Sequence, residues 1–372
     1  MGAGSLAKVP SVLNSCGVNK VMVVTGPNIV KTLGLRLKEI LEKAGMQYEV
    51  FCDVEANPSV ETVEEIFKMY VATGCDGFVA LGGGSPMDAA KAAAARVVRP
   101  RTPLHRMAGV LKVLKPIPPF IAIPTTAGTG SETTIAAVIT DRAKNHKYAL
   151  MDLVLTPKYA ILDPELIVSL SPRTTAATGM DALTHAVEAY VCNSYNTKES
   201  LRCAEEAVVT IMKCLEPSFR DPSDLRLRQE MLLASFKAGF AFTRAGVGNV
   251  HAIAHTLGGF YNTPHGLANA VILPIVLEDY SFAVWDKLAH LAELTGIAAS
   301  GTTEERAKAF IAEIRRMNDV MGIPRGFDFI LDKDIPTMIK MALAEANPVY
   351  PVPVIYDAAR ARRVIENIRM GA

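Results

Sequence analysis

The sequence predicts two domains in series: an α/β N-terminal domain with a parallel sheet over residues 1–164 and an all-α C-terminal domain over residues 165–372. Three observations carry this. Short β-branched runs alternate with amphipathic segments as far as Asp163-Pro164, the pattern of parallel strands joined by helical crossovers. A run of three glycines stands directly after one apolar run and directly before an alanine-rich stretch. Beyond Pro164 strand-like runs largely disappear and long helical periodicities take over.

Taken in order, Lys20 to Thr25 reads as a strand and Ile29 to Ala44 as a helix closed by Gly45. Gln47 to Cys52 is the next strand, and Val60 to Thr73 a helix ending at Gly74. Gly77 to Leu81 reads as a buried strand running into Gly82-Gly83-Gly84-Ser85. Met87 to Arg96 fits a helix opened by Pro86 at its first position, where the missing N–H costs nothing. Arg99 to Pro119, with its five prolines, reads as a surface excursion. Phe120 to Ile123 is a further strand, followed by a second small-residue loop, Pro124 to Ser131. In the second half Thr174 to Cys192, Lys198 to Leu215 and Asp224 to Phe242 read as helices.

Length and composition narrow the function. A chain of 372 residues with half its residues apolar has enough buried surface for two globular cores. The 39 basic and 38 acidic side chains nearly cancel, so charge supports neither a nucleic-acid nor a membrane partner and favours a small molecule. The six cysteines lack C-x-x-C spacing and read as free thiols. Residues Met1 to Pro10 lack the pattern of a signal peptide, and no uninterrupted apolar stretch is long enough to span a bilayer, so a cytoplasmic protein is expected.

Two loops bear on a nucleotide. A glycine run between a strand end and a helix start lets backbone N–H groups approach a pyrophosphate, with the helix terminus adding favourable partial charge. Gly82 to Asp88 has this context without the G-x-G-x-x-G fingerprint, and a tight turn without ligand is the alternative reading. Thr125 to Ser131 follows another strand end, and its hydroxyls fit the same carboxyl edge of a Rossmann-like sheet.

A separate cluster points to a metal. Asp181 and His185 are four apart, so a helix puts carboxylate and imidazole on one face; His251 and His255 repeat that spacing. His265 follows in Asn262-Thr263-Pro264-His265-Gly266, where proline and glycine suggest a constrained turn. Three histidines with one aspartate suffice for a mononuclear Fe²⁺ or Zn²⁺ site. The alternative for any one histidine is a hydrogen-bonded core side chain. A zincin is excluded because Ala252, not glutamate, follows His251.

With these residues in view, the chain resembles the iron-containing, group III alcohol dehydrogenases, whose fold is shared with dehydroquinate synthase. Four motifs carry the resemblance: Gly82 to Asp88, Thr125 to Thr134, Gly179 to Tyr190 and His251 to Ala270. It implies metal ligation by Asp181, His185, His251 and His265, and places His255 beside the nicotinamide. It implies cofactor contacts at Asn57, Gly83, Gly84, Ser85, Asp88, Thr125, Thr126, Thr129, Thr134, Val138 and Lys147. Family members that prefer NAD commonly carry aspartate where this chain has Gly26, so NADP is favoured over NAD here.

The resulting expectation is hydride transfer between a short primary alcohol, aldehyde or diol and NAD(P), through a metal-bound alkoxide, with Fe²⁺ as the metal and Zn²⁺ as the alternative. His255 is the candidate for relaying the proton; orientation alone is its other reading. Phe242, Ala245, Gly246, Val247, Gly248, Phe260 and Leu267 suggest a small apolar pocket; Arg244 reads first as an outward-facing arginine at a helix end, with an anchor for the carboxylate of a hydroxy acid as the alternative. A dehydroquinate-synthase-like lyase needs lysines and arginines that Ala176 to Tyr190 and Gly246 to Ala270 lack, and a non-enzymatic binding protein gives no reason for the ligand cluster. A homo-oligomer, dimer or higher, is expected, although the short segment before Gly2-Ala3-Gly4-Ser5 leaves out the hairpin many members use to dimerise.

Overall fold

The structure is a computed structural model that describes residues 1–144, 146–193 and 195–371. They form two compact units, Met1–Thr126 with Gly130–Val168, and Ala127–Thr129 with Ser169–Ala372. In chain order the first unit holds α1 (Val9–Ser15), β1 (Lys20–Thr25), α2 (Leu35–Lys43), β2 (Gln47–Phe51), α3 (Val60–Thr73), β3 (Gly77–Gly82), α4 (Gly84–Val98), β4 (Gly109–Val110), β5 (Phe120–Pro124), β6 (Ala136–Asp141), β7 (His146–Met151) and β8 (Tyr159–Ala160).

The main sheet runs β2-β1-β3-β5-β8 with every pair parallel. Its inner strands are apolar on both faces because helices cover both. Alternation sorts the side chains: Met22, Val24, Phe78, Ala80, Phe120 and Ala122 join α3 and α4 in one core. Val21, Val23, Val79, Leu81, Ile121 and Ile123 join α1 and α2 in the other. From β1 the strand order steps outward to β2 on one side and β3 on the other, so the carboxyl ends of β1 and β3 form a switch point. Gly26 follows the first of these ends, and Gly83 and Gly84 follow the second.

Several boundaries differ from the sequence reading. Helix α4 begins at Gly84, so Pro86 is its third residue and not its first. The helix expected from Ile29 opens with a wide turn, closed by the Gly34 N–H on the Ile29 carbonyl at 2.9 Å, before regular α2 begins. The proline-rich excursion contributes β4, which pairs with β7 in a three-stranded sheet β4-β7-β6. Neither the β6–β7 hairpin nor β8 was read in the sequence.

The second unit is helical, with no strand among its described residues: α5 (Pro172–Val191), α6 (Lys198–Arg220), α7 (Leu225–Ala245), α8 (Asn249–Tyr261), α9 (His265–Tyr280), α10 (Trp285–Leu294), α11 (Thr303–Val320), α12 (Ile335–Ala346) and α13 (Ala358–Met370). Ser171, Thr197, Asp224 and Thr302 cap α5, α6, α7 and α11 by accepting first-turn N–H groups. Every residue from Gly179 to Val191 on α5 is buried, so this helix is the unit's core. By length and composition one segment, His265–Ala283, is apolar enough to cross a membrane, but Glu278 and Asp279 interrupt it and 61% of its most apolar window is buried inside the unit, as for a core helix.

Candidate active site

Helix geometry assembles the metal cluster. On α5, Asp181, His185 and Glu188 fall at i, i+4 and i+7 and share one face. His251 and His255 lie one turn apart on α8. His265 is the first residue of α9, which corrects the expected turn: Pro264 immediately precedes the helix. A Cβ at Gly266 would lie 2.3 Å from the Ala177 carbonyl and 3.2 Å from the Asp181 Cβ, so only glycine lets α9 start against α5.

Asp181, His185, His251 and His265 each offer one ligand atom, all within 4.8 Å of one another. Asp181, His185 and His251 are buried, and the His265 side chain is 40% exposed. The Asn269 amide nitrogen sits among them, 2.7 Å from Asp181 Oδ1, 3.1 Å from His251 Nε2 and 3.2 Å from His265 Nε2. Two N–H groups thus face three converging acceptors. Burial, reinforced by the neighbouring imidazoles, holds His251 well below its ordinary pKa, in the neutral form that ligates. Buried His185 Nδ1 and Asn269 Oδ1 lack hydrogen-bond partners. Three imidazoles and a carboxylate with orphaned atoms around them fit a divalent first-row metal.

Around this set the structure places residues that sequence reasoning missed. Glu188 accepts from His251 Nδ1 at 2.6 Å and from the Gly248 and Val250 N–H groups at 2.9 and 2.8 Å. Burial pushes its carboxyl up to about 7 against these hydrogen bonds. The bond at Nδ1 leaves His251 Nε2 for the cluster. Its i+7 spacing from Asp181 was the available signal. Glu345, on α12, accepts from His255 Nδ1 at 2.6 Å and the Tyr350 hydroxyl at 2.7 Å. Burial would raise Glu345, but the charge of His255 and these hydrogen bonds outweigh it and hold the carboxyl low. No sequence pattern linked residues 90 apart. The His255 ring stacks on His265 at 5.2 Å, and Phe242 stacks on His185 at 4.2 Å. Arg244 is exposed.

In the first unit, Gly82 takes φ 155° and a Cβ there would meet the Pro86 ring at 2.6 Å, which turns the chain sharply from β3 into α4. Gly83, Gly84 and Ser85 stand partly exposed at that helix start. The Asn57 N–H donates to Ser85 Oγ at 3.3 Å, and Lys147 Nζ donates to Asn57 Oδ1 at 2.8 Å, so these expected contacts form one group. The Thr125 N–H donates to the Gly82 carbonyl, and Thr126 lies against Gly83. Asp88, Thr134 and Val138 form a second group: Asp88 accepts from the Ser131 hydroxyl and the Val138 N–H. Thr134 is buried. Thr129 belongs to the short segment grouped with the second unit. Gly26 is buried, and a Cβ there would meet the Val54 carbonyl at 3.3 Å, so the chain is close-packed beside it.

Comparison with known proteins decides the family. Residues 1–164 match the iron-containing alcohol dehydrogenase family, and residues 175–355 match the Fe-containing alcohol dehydrogenase family, C-terminal. The chain belongs to the iron-containing alcohol dehydrogenases. It is 36% identical to the NAD-dependent methanol dehydrogenase of Bacillus methanolicus over 97% of this chain and 96% of that one. It is 38% identical to the 1,3-propanediol dehydrogenase of Klebsiella pneumoniae over 82% and 80% of the two chains. A crystal structure of 1,3-propanediol oxidoreductase superposes with a TM-score of 0.95 at 34% identity, covering 99% of this chain and 96% of that one. This iron-containing alcohol dehydrogenase is therefore an oxidoreductase whose family uses iron and NAD(H).

Proposed function

We propose that this enzyme interconverts short primary alcohols or diols and their aldehydes with NAD(P) and Fe²⁺, held by Asp181, His185, His251 and His265, with Zn²⁺ as the alternative metal. The observation that carries it is the convergence of the four ligand atoms within 4.8 Å beside the stacked Phe242 ring. When bound, the metal supplies Lewis acidity to the substrate oxygen. Glu188 fixes the His251 ring through Nδ1, and Asn269 donates to Asp181, so both ligands are oriented. His255 is the proton-relay residue: Glu345 holds Nδ1, which leaves Nε2 to take or return the substrate proton. Gly83 to Ser85 at the α4 N-terminus receive the pyrophosphate, with Asn57 and Lys147 on the ribose side. Rates with 1-butanol, 1,3-propanediol and 4-hydroxybutyrate test the substrate class. A clear preference for the hydroxy acid would defeat the apolar-pocket reading.

The finer choice of NADP over NAD rests on Gly26, which brings no carboxylate to repel a 2′-phosphate. Against it stand Asp53, exposed just past β2, and the NAD named in the methanol dehydrogenase relative. The kcat/KM ratio for the two cofactors decides, and a ratio favouring NAD ends the NADP reading. A cytoplasmic homo-oligomer, dimer or higher, without nucleic-acid or membrane partners, completes the proposal; the near-neutral charge balance supports the absence of polyanionic partners.

A further inference from the structure

The largest fully buried charged side chain among the described residues of the first unit is Lys91, on α4, and the reaction leaves it unused. Its ammonium faces five oxygens: the Ser131 carbonyl at 2.6 Å, the Thr134 carbonyl and hydroxyl at 2.9 Å each, the Ala136 carbonyl at 3.1 Å and the Ser131 hydroxyl at 3.2 Å. An ammonium has three N–H groups, so five oxygens surround it in the manner of a coordinated cation. Three are carbonyls from one short stretch, whose dipoles point at a common centre and repel one another unless a positive charge sits there.

We propose that Lys91 is a positioning residue for the dinucleotide, an internal cation that holds the second cofactor loop in its binding shape. This rests on the reading of Gly83–Ser85 and the loop from Thr125 to Thr134 as the cofactor site. Asp88, one turn earlier on the same helix, completes the grip by accepting from the Ser131 hydroxyl at 2.9 Å and the Val138 N–H at 3.1 Å. The helix whose start faces the pyrophosphate therefore also clamps the other loop through Asp88 and Lys91. The Thr134 hydroxyl and carbonyl are taken up by Lys91, so Thr134 and Asp88 serve the cofactor through this scaffold.

The charge is costly to keep where it is. Burial pushes the Lys91 ammonium down to about 8, partly offset by Asp88 and Glu132. Burial raises buried Glu132 to about 7 and raises Asp88, each offset by Lys91. A leucine or methionine would avoid that cost but would leave the loop oxygens without a donor, and the loop would have to turn them outward to water. The loop's shape thus depends on the charge as well as on the volume of the side chain.

The test separates cofactor binding from turnover. Lys91→Met is expected to raise the dissociation constant for the reduced cofactor, read by fluorescence titration, at least about tenfold, with kcat at saturating cofactor within about threefold and metal content unchanged. Lys91→Ala should regain cofactor affinity as propylammonium is added, and 1-propanol, of similar size and uncharged, should not restore it. Unchanged affinity in folded Lys91→Met would overturn the proposal, as would equal rescue by the alcohol. If both lysine variants fail to fold, Ser131→Ala carries the test. It removes one oxygen from the ammonium and the bridge to Asp88, and should weaken cofactor binding by about threefold or more; unchanged affinity there overturns the proposal too. Gly83→Val tests the underlying site, because its side chain fills the helix start beside Thr126. Full affinity in Gly83→Val would overturn the cofactor-loop reading and the Lys91 proposal with it, whereas loss in Gly83→Val alone would overturn only the role of Lys91.

Discussion

At the residue scale, the candidate centre separates ligands from the side chains that aim them. Replacing Asp181, His185, His251 or His265 with alanine should abolish both bound metal and activity, because each removes one of four converging donors. His255→Ala should keep its metal while turnover falls by about a hundredfold or more, the usual contribution of a positioned acid–base group. Elemental analysis showing metal loss in His255→Ala would move that residue into the ligand set. Glu188→Gln is expected to keep the fold and weaken metal binding about 10- to 100-fold, since the amide no longer accepts from His251 Nδ1 as a carboxylate does. Competition with a chromogenic chelator measures this, and wild-type affinity would make Glu188 a packing residue only. The candidate ligand cluster was legible in the sequence because helical spacing pairs Asp181 with His185 and a short loop brings His265 close after the helix that carries His251. Glu188 was legible by the same period and went unread. Glu345 was not legible, because its approach to His255 depends on how α12 packs on α8.

At the element scale, the alternating strands were legible because buried parallel strands are continuous apolar runs, as β3 and β5 are. The β6–β7 hairpin was not, since Val138 and Lys147 face outward and the short strands carry mixed residues. Helix α4 starts two residues earlier than Pro86 predicts, because the backbone already turns helical at Gly84, and it runs two residues beyond Arg96, to Val98. Packing between elements yields two predictions. Gly266→Ala would press a methyl group 2.3 Å from the Ala177 carbonyl, so α9 must shift from α5, costing about 1 to 3 kcal/mol and displacing His265. Its thermal midpoint and metal content should fall together; loss of stability with full metal content would show that α9 relaxes without moving its first residue. Asp76 ties the starts of β1 and β3 by accepting from the Asn19 and Lys20 N–H groups and the Asn19 amide. Burial would raise its carboxyl, but these hydrogen bonds outweigh it and hold it below the ordinary value. Asp76→Ala should therefore cost about 1 to 2 kcal/mol at neutral pH, discounted for its partial exposure. The difference from wild type should stay constant above about pH 5 and fade as the pH drops through the lowered pKa, because the unfolded carboxyl protonates first. A difference that persists in denaturant titrations at low pH would mean the loss is not electrostatic.

At the scale of the whole molecule, the two units carry different parts of the proposed site: the four candidate ligands all belong to the second, and the α4 glycine loop to the first. Metal binding should therefore stabilise the chain unevenly. A ligand that binds only the folded state adds RT ln(1 + [L]/Kd), about 4 kcal/mol at a thousandfold excess over Kd. That free energy enters through Asp181 and His185 on α5, His251 on α8 and His265 on α9, helices whose amides are already buried. Hydrogen exchange of metal-loaded against metal-free protein should show slower exchange concentrated in α5, α8 and the first turns of α9, with the Glu188-bound N–H groups of Gly248 and Val250 among the most affected. The parallel sheet β2-β1-β3-β5-β8 contributes no ligand, so its amides should change least on metal addition and most on cofactor addition. Sheet amides that respond to metal as strongly as those of α8 would show that the ion acts through global unfolding and not through the helices that hold its ligands.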